Sequence, residues 1–397
     1  MLHGTILLLM VAIGAGPEGV AMKDVVQGNN QFAFDLYAKL RDRPGNLVFS
    51  PYSVSTALAM TSVGARGPTA GQMAATLHLP VDGSDLDTGF AAIRDLIGGL
   101  KSDRPYQLST ANALWGQQGL DYRAEFLKRA EAGFGAGLRE VDFLHDPQGA
   151  RRTINAWVEQ QTRDKIKELL GPSDVSKDTD LILTNAIYFK GAWAVPFPSA
   201  STRDEPFGDG KTSAPVPTMH RTGDSGYLET EAFQALALPY LGNDLSMVII
   251  LPRKVDGLAA LEASMSSPRV DEWLGQLGSR KVEIFLPRFR LESSNELAST
   301  LSDVGMPLAF GKEADFSGIA TDRRLMISAV IHKAFAEVNE EGTEAAAATA
   351  VVMRMLSAFK DPARLVVFKA DHPFLFLIRD NRSGSTLFLG RIVNPRG

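Results

Sequence analysis

Three short stretches carry residue types that enzymes use. Gly223-Asp224-Ser225-Gly226 sets a serine between an acid and a glycine, and His78, His145 and His220 could each supply a base. A nucleophilic serine needs its base and an orienting acid brought together in space. No second motif supports any of these histidines, and Tyr227 stands where a further glycine is expected, so the stretch reads as a polar hairpin. Gly210-Lys211-Thr212 has the end of a phosphate loop, but the required earlier glycine falls on Glu205, which leaves a surface turn. Gly14, Gly16 and Gly19 have dinucleotide-loop spacing, yet Pro17 sits inside the loop and Gly28 interrupts the helix that should follow. Six histidines show no metal-ligand spacing, and the absence of cysteine excludes thiolate zinc sites, disulfides and cysteine catalysis. No metal and no cofactor is expected.

The remaining candidate is Glu340 to Ser357, EEGTEAAAATAVVMRMLS. Its first half is small and nearly uncharged; its second half is apolar with one basic residue, Arg354. No proline occurs between Pro307 and Pro362. Alanine is the best helix former, so Glu344 to Leu356 could form a surface helix. The same residues could form a strand, in which alternate side chains share a face. Thr343, Ala345, Ala347 and Thr349 then point inward together, all small enough to slip between existing strands, while Glu344 points outward and stays solvated. A proline-free segment can donate every backbone N–H of a central strand.

Helical patterning dominates the first 170 residues. Asp146-Pro147 is an N-cap followed by a first-turn proline; Ile154, Trp157, Val158 and Gln161 recur at helical spacing, and Gly171-Pro172 stops that helix. Strands follow: Leu181 to Lys190, Leu245 to Leu251 before Pro252, and Val282 to Leu286 before Pro287. Leu365 to Phe368, Phe374 to Ile378 and Thr386 to Val393 read as three buried strands. Helices first and strands later predict an α+β fold with large, mostly antiparallel sheets.

EEGTEAAAATA resembles the hinge of inhibitory serpins residue for residue, and the likeness extends from about Gln27 to Pro395. Asn46-Leu47-Val48-Phe49-Ser50-Pro51 and Ser53 match the start of an early family helix. Asn185, Phe189-Lys190-Gly191 and Trp193 match the sheet-opening region, with Pro196, Phe197, Thr202, Val216-Pro217 and Met219 following in order. Ala370-Asp371-His372-Pro373-Phe374 and Gly390-Arg391-Ile392-Val393-Asn394-Pro395 match the C-terminal strands.

The resemblance implies one domain from residue 22 to 397, with three β-sheets, about nine helices and an exposed reactive-centre loop over residues 340–361. It also implies a suicide inhibitor rather than an enzyme. The family's fixed distance from the hinge glycine, Gly342, puts the scissile bond at Leu356–Ser357. A protease serine would form an acyl ester on Leu356, and the freed segment would enter the central sheet, a span of roughly 45 Å at about 3.3 Å per residue. The hinge is Glu340, Gly342, Thr343, Glu344, Ala345, Ala346, Ala347, Ala348 and Thr349. Ser50, Ser53, Asn185 and His332 match a polar cluster beneath the central strands, Trp193 the aromatic at the point of first insertion, and Arg288 with Glu340 an ion pair at the hinge base. Leu356 suits the apolar slot of a chymotrypsin-like serine protease; cleavage at Arg354 would admit trypsin-like enzymes, and at Met355 elastase- or subtilisin-like ones. A cysteine protease is a second class of partner, and the chain is expected to be a monomer. A non-inhibitory relative, acting as carrier or chaperone, is the alternative; the small hinge residues argue against it.

A net charge of −5 offers no whole-protein attraction for nucleic acid. Thr69 to Leu79 contains no Lys or Arg, so no heparin site is expected there. The apolar run Thr5 to Ile13 is too short to span a bilayer. Residues 1–21 read as a secretory signal cut near Gly19-Val20-Ala21, which predicts export; the alternative is a cytoplasmic protein starting at Met22.

Overall fold

The computed structural model describes residues 17–80, 85–98, 105–322, 324–343 and 365–396. The chain begins α1 (Pro17–Leu40), β1 (Leu47–Phe49), α2 (Pro51–Ser62), α3 (Gly67–Thr76), α4 (Leu86–Gly98), β2 (Tyr106–Gln117), α5 (Ala124–Phe134), β3 (Leu138–Val141) and α6 (Pro147–Gln161). It continues with β4 (Leu181–Ala192), β5 (Arg203–Gly208), β6 (Ser213–Glu229), β7 (Phe233–Pro239), β8 (Leu245–Pro252), α7 (Leu258–Ser264) and α8 (Ser267–Gly275). Then come β9 (Gly278–Pro287), β10 (Phe289–Glu296), α9 (Ala298–Val304), β11 (Ile327–Val338), β12 (Gly342–Thr343), β13 (Val366–Lys369), β14 (Phe374–Asp380) and β15 (Thr386–Ile392). This is the expected α+β fold, with nine α-helices among the described residues.

Six strands form one sheet in the order β10-β11-β12-β4-β2-β3. The other nine run β1-β15-β14-β8-β7-β6-β9-β13, with β5 attached to β6. The strands therefore join into two hydrogen-bonded networks. The reason is β6: its 17 residues pair with β5 at one end, β7 at the other and β9 along its length. Within the six-stranded sheet β11 and β4 pair directly and in parallel, Ile327 opposite Leu181 through Phe335 opposite Tyr188. Alternation along these strands sends Ala329, Ile331, Ile182 and Ala186 to one face, under Ile154 and Val158 of α6. It sends Val330, Ala334, Leu183 and Ile187 to the other, into the main core with α2.

Several local expectations need correcting. Tyr106–Gln117 is a strand inside the region read as helical; its Ala, Asn and Gln carry little strand propensity, and pairing with β4 along eleven positions overrides it. The helix begun at Pro147 stops at Gln161, not at Gly171: Thr162 caps it, and Arg163 and Asp164 then adopt positive φ. Gly28 does not interrupt a helix. It lies within α1, where a Cβ would sit 2.6 Å from the His78 carbonyl oxygen, so its bare Cα permits a close crossing. Gly223-Asp224-Ser225-Gly226 is no hairpin but the middle of β6, paired with β9. β13 is an edge strand with Leu365 and Val367 about half exposed, not a buried one. Gly19-Val20-Ala21 falls in the first turns of α1, with Ala21 and Met22 buried; Gly14 and Gly16 lie outside the described residues. No helix among the described residues is long and apolar enough to cross a membrane.

Candidate functional site

The site is built around the seam between β11 and β4. At one end β12 has entered it: Thr343 lies opposite Val338 of β11 and opposite Gly191 of β4, antiparallel to both. Gly342 has φ +154°, and a Cβ there would meet the Gly191 carbonyl oxygen at 2.0 Å, so only glycine lets the chain pass. Asn339 closes the turn before it by accepting from the backbone N–H of Glu341 and Gly342. Thr343 is fully buried, its hydroxyl 2.7 Å from the Tyr240 hydroxyl.

Trp193 and the Arg288–Glu340 pair lie at this end. Trp193 donates its indole N–H to the Asn339 carbonyl at 2.9 Å and its backbone N–H to the Glu341 carbonyl. Arg288 meets Glu340, with Nε 2.7 Å from Oε1, and the Thr202 hydroxyl donates to the same oxygen. Burial pushes the Glu340 carboxyl up, but the hydrogen bonds from Arg288 and Thr202 outweigh it and hold the group below the usual carboxylate range. The carboxylate is buried and the guanidinium about half exposed.

Farther along the seam, Ser50, Ser53, Asn185 and His332 form one buried cluster. Ser50 caps α2: its hydroxyl accepts from the Ser53 N–H at 3.1 Å, and Pro51 occupies the first helical position. The Ser50 N–H donates to His332 Nε2 at 3.0 Å, so the ring proton sits on Nδ1 and is donated to the Asn185 side-chain oxygen. Asn185 in turn donates to the Ser53 carbonyl and to Asn112 Oδ1, which also accepts from the Ser53 hydroxyl at 2.8 Å. Complete burial pushes the His332 imidazole down to about 3, so it is neutral at pH 7. Asn112 and Asn295 were not anticipated. The first lies opposite Asn185 and the second opposite His332, so four polar residues make one row across the sheet. No local signal marks the row, which exists only once β2, β4, β11 and β10 pair.

Ser225 is buried, and among the described residues its hydroxyl has no hydrogen-bond partner to act as a base. His78, His145 and His220 each meet an acid, Asp35, Asp142 and Glu283 respectively. Gly210-Lys211-Thr212 is the expected turn, with Asp209 accepting from the Lys211 and Thr212 N–H groups. Among the described residues no group of three or more His, Asp or Glu could hold a metal ion. Glu344, Ala345, Ala346, Ala347, Ala348, Thr349, Arg354, Met355, Leu356 and Ser357 lie outside the described residues.

The sequence model of the family described as "Serpin (serine protease inhibitor)" matches residues 27–395. A serpin-like protein of Thermococcus kodakarensis is 44% identical over 378 residues, 94% of this chain and 86% of that protein. The leukocyte elastase inhibitor of Sus scrofa is 42% identical over 387 residues, 94% of this chain and all of that one. Among solved structures, Serpin48 of the insect Tenebrio molitor superposes with a TM-score of 0.82 at 33% identity, covering 94% of this chain and 98% of that chain. Human thyroxine-binding globulin, complexed with thyroxine, superposes with a TM-score of 0.85 at 30% identity, covering 95% of this chain and 100% of that chain. With the family model running almost end to end and relatives above 40% identical over 94% of the chain, this chain belongs to the serpin family.

Proposed function

We propose that the protein is a single-use inhibitor of chymotrypsin-like serine proteases that traps the acyl-enzyme by drawing its cleaved loop into the β11–β4 seam. One observation carries this: β12 already stands between two parallel strands, antiparallel to both, as the first two residues of a longer insert. Continuing that register lays Ala345 and Ala347 on the core face and brings Thr349 level with Asn185 and His332. Glu344 falls on the opposite face, level with half-exposed Lys190. No inward position holds a side chain larger than threonine up to that row, so insertion meets little steric resistance.

The protease serine attacks the Leu356 carbonyl, Ser357 leaves as a new N-terminus, and the ester-linked enzyme is carried along as the strand zips in. Displacing catalytic groups by about 1 Å can cost a hundredfold in rate, which stalls deacylation. The resting fold must then persist kinetically, held by the barrier to parting β11 from β4. Relatives named leukocyte elastase inhibitor support protease inhibition, and Leu356 supports an apolar primary pocket. Export through the apolar run Thr5 to Ile13 and a cytoplasmic protein starting at Met22 are told apart by the N-terminal mass of the mature protein.

Incubation with chymotrypsin followed by a denaturing gel decides the matter. A covalent band near the summed mass, and a released fragment beginning at Ser357, are expected. Loop cleavage with no such band would make the chain a non-inhibitory member, like a carrier.

A further inference from the structure

We propose that Tyr240 is a positioning residue for the trap: its buried hydroxyl recognises the hydroxyl of Thr343 and pins the hinge at the head of the seam before any protease arrives. The inference rests on the inhibitory reading above but concerns a residue that neither the sequence motifs nor the family match singled out.

Tyr240 follows β7, in the nine-stranded network, whereas Thr343 belongs to the six-stranded sheet. Their hydroxyls meet at 2.7 Å with both residues fully buried. Among the described residues neither oxygen has another side-chain partner, so losing one strands the other away from water. The phenol is also held by groups outside the hinge. Its ring stacks on Trp193 at 4.7 Å and 14°, and Phe189 meets it edge-on at 4.9 Å. Its backbone donates to the Leu245 carbonyl at 3.0 Å, and the next residue, Leu241, donates to the Ala192 carbonyl at 2.7 Å. Gly191 completes the pocket, because a Cβ there would press Phe189 at 2.7 Å and the Tyr240 ring at 3.0 Å.

The pocket therefore reads residue 343 by chemistry as well as size. A threonine or serine satisfies Tyr240; valine fills the space and strands the phenol; a charge does neither. Because the hydroxyl pair forms ahead of cleavage, insertion starts from a paired strand and not from a free loop. That gives zipping a lead over deacylation, and the competition between those two steps sets how many inhibitor molecules are consumed per protease trapped.

The test compares Tyr240→Phe, Thr343→Val, Thr343→Ser and the Tyr240→Phe/Thr343→Val pair in the full chain. First, amide hydrogen exchange at Gly342 and Thr343 is measured in the uncut protein, with no protease present. Exchange about fivefold faster in Tyr240→Phe is expected, the size of one net hydrogen bond; unchanged exchange overturns the latch whether or not the protein inhibits anything. Second, with chymotrypsin, the moles consumed per mole trapped should rise about fivefold for either single substitution, stay near the parent value for Thr343→Ser, and rise no further in the double variant. Additive losses, or a serine variant as poor as valine, overturn the proposal. If Tyr240→Phe does not fold, the serine and valine variants still decide it. Absence of any covalent complex with the parent protein would instead sink the inhibitory reading, leaving the exchange result to judge the latch alone.

Discussion

The two ends of the β11–β4 seam are built on opposite terms. At the hinge end the seam is already parted: Gly342 and Thr343 occupy it, and Trp193, Tyr240 and the Arg288–Glu340 pair hold them there. Half a seam away it is shut, with His332 bonded sideways to Asn185 and both tied to Ser50, Ser53 and Asn112 below. The open end is lined by contacts that survive when more strand enters. The shut row must lose the His332–Asn185 bond before any strand can pass. On the proposed inhibitory reading, the barrier that keeps the native sheet from taking up its own loop is concentrated in the row, while the hinge end sets the starting position. Each prediction below attacks one end and asks whether the other responds.

The largest effect comes from charging the open end. Thr343→Arg puts a cation into a fully buried position against Tyr240, and burying a charge there costs several kcal/mol. Cleavage at Leu356–Ser357 should continue at its normal rate while the covalent chymotrypsin band disappears. An undiminished band would mean that residue 343 never enters the sheet, and the comparison of the two ends would lose its basis.

Next is the shut row. Asn185→Ala removes the acceptor for His332 Nδ1–H and the donor to the Ser53 carbonyl, leaving buried polar groups bare at about 2 kcal/mol or more. The melting temperature of the uncut protein should fall, and spontaneous loss of inhibitory activity on storage should accelerate. The hinge contacts should keep their parent hydrogen-exchange rates. Equal loosening at both ends would show that the seam opens as one unit.

How much of this could be read beforehand follows from which residues speak locally. The Asp146 cap was legible because a capping residue before proline is a strong helix-start signal, whereas of the hinge only Glu340, Gly342 and Thr343 fall on described residues. β4, β8, β14 and β15 were legible from dense apolar and β-branched runs. β2 was not, because Ala111, Asn112 and Ala113 owe their extended form to partners more than seventy residues away. Asn112 and Tyr240 went unnoticed for the same reason: one asparagine or tyrosine carries no period, and only the fold brings each against its partner. Gly28 and Ser225 misled because a glycine or a Gly-Asp-Ser-Gly string has several uses, and the choice among them is made by what packs alongside.

Acid should act on the row before it acts on the hinge. His332 is neutral in the fold, held down to about 3, whereas an unfolded histidine titrates near 6.5. Between those values the unfolded chain binds the extra proton, so stability rises with pH across the window and is lost as pH falls from about 6.5, by at most about 1.4 kcal/mol per unit. Glu340, held below its ordinary value, adds a loss of the same sign only near and below the usual carboxylate range. Thermal melts of the uncut protein from pH 7 to 4 should show the decline, and His332→Gln should flatten its upper part. A parent-like slope in that variant would assign the decline to other groups.

The smallest effect is expected at the ion pair, although it looks like the strongest contact at the hinge. The Arg288 guanidinium is about half exposed, so water screens it and the pair is worth little on its own. Removing it does leave the buried Glu340 carboxylate with less compensation, but the Thr202 hydroxyl still donates to the same oxygen, and the Glu340 carbonyl still accepts from the Phe197 N–H at 2.9 Å. Arg288→Met should therefore lower the stability of the uncut protein by about 1 kcal/mol, with the Glu340 carboxyl moving upward toward neutral form. The moles of inhibitor consumed per protease trapped should change less than twofold, because Thr343 remains pinned by Tyr240 and Gly342 still fits against Gly191. A collapse of trapping in Arg288→Met, with Tyr240→Phe leaving it intact, would move the control of the open end from the buried hydroxyls to the surface charge and reverse the ranking argued for that end.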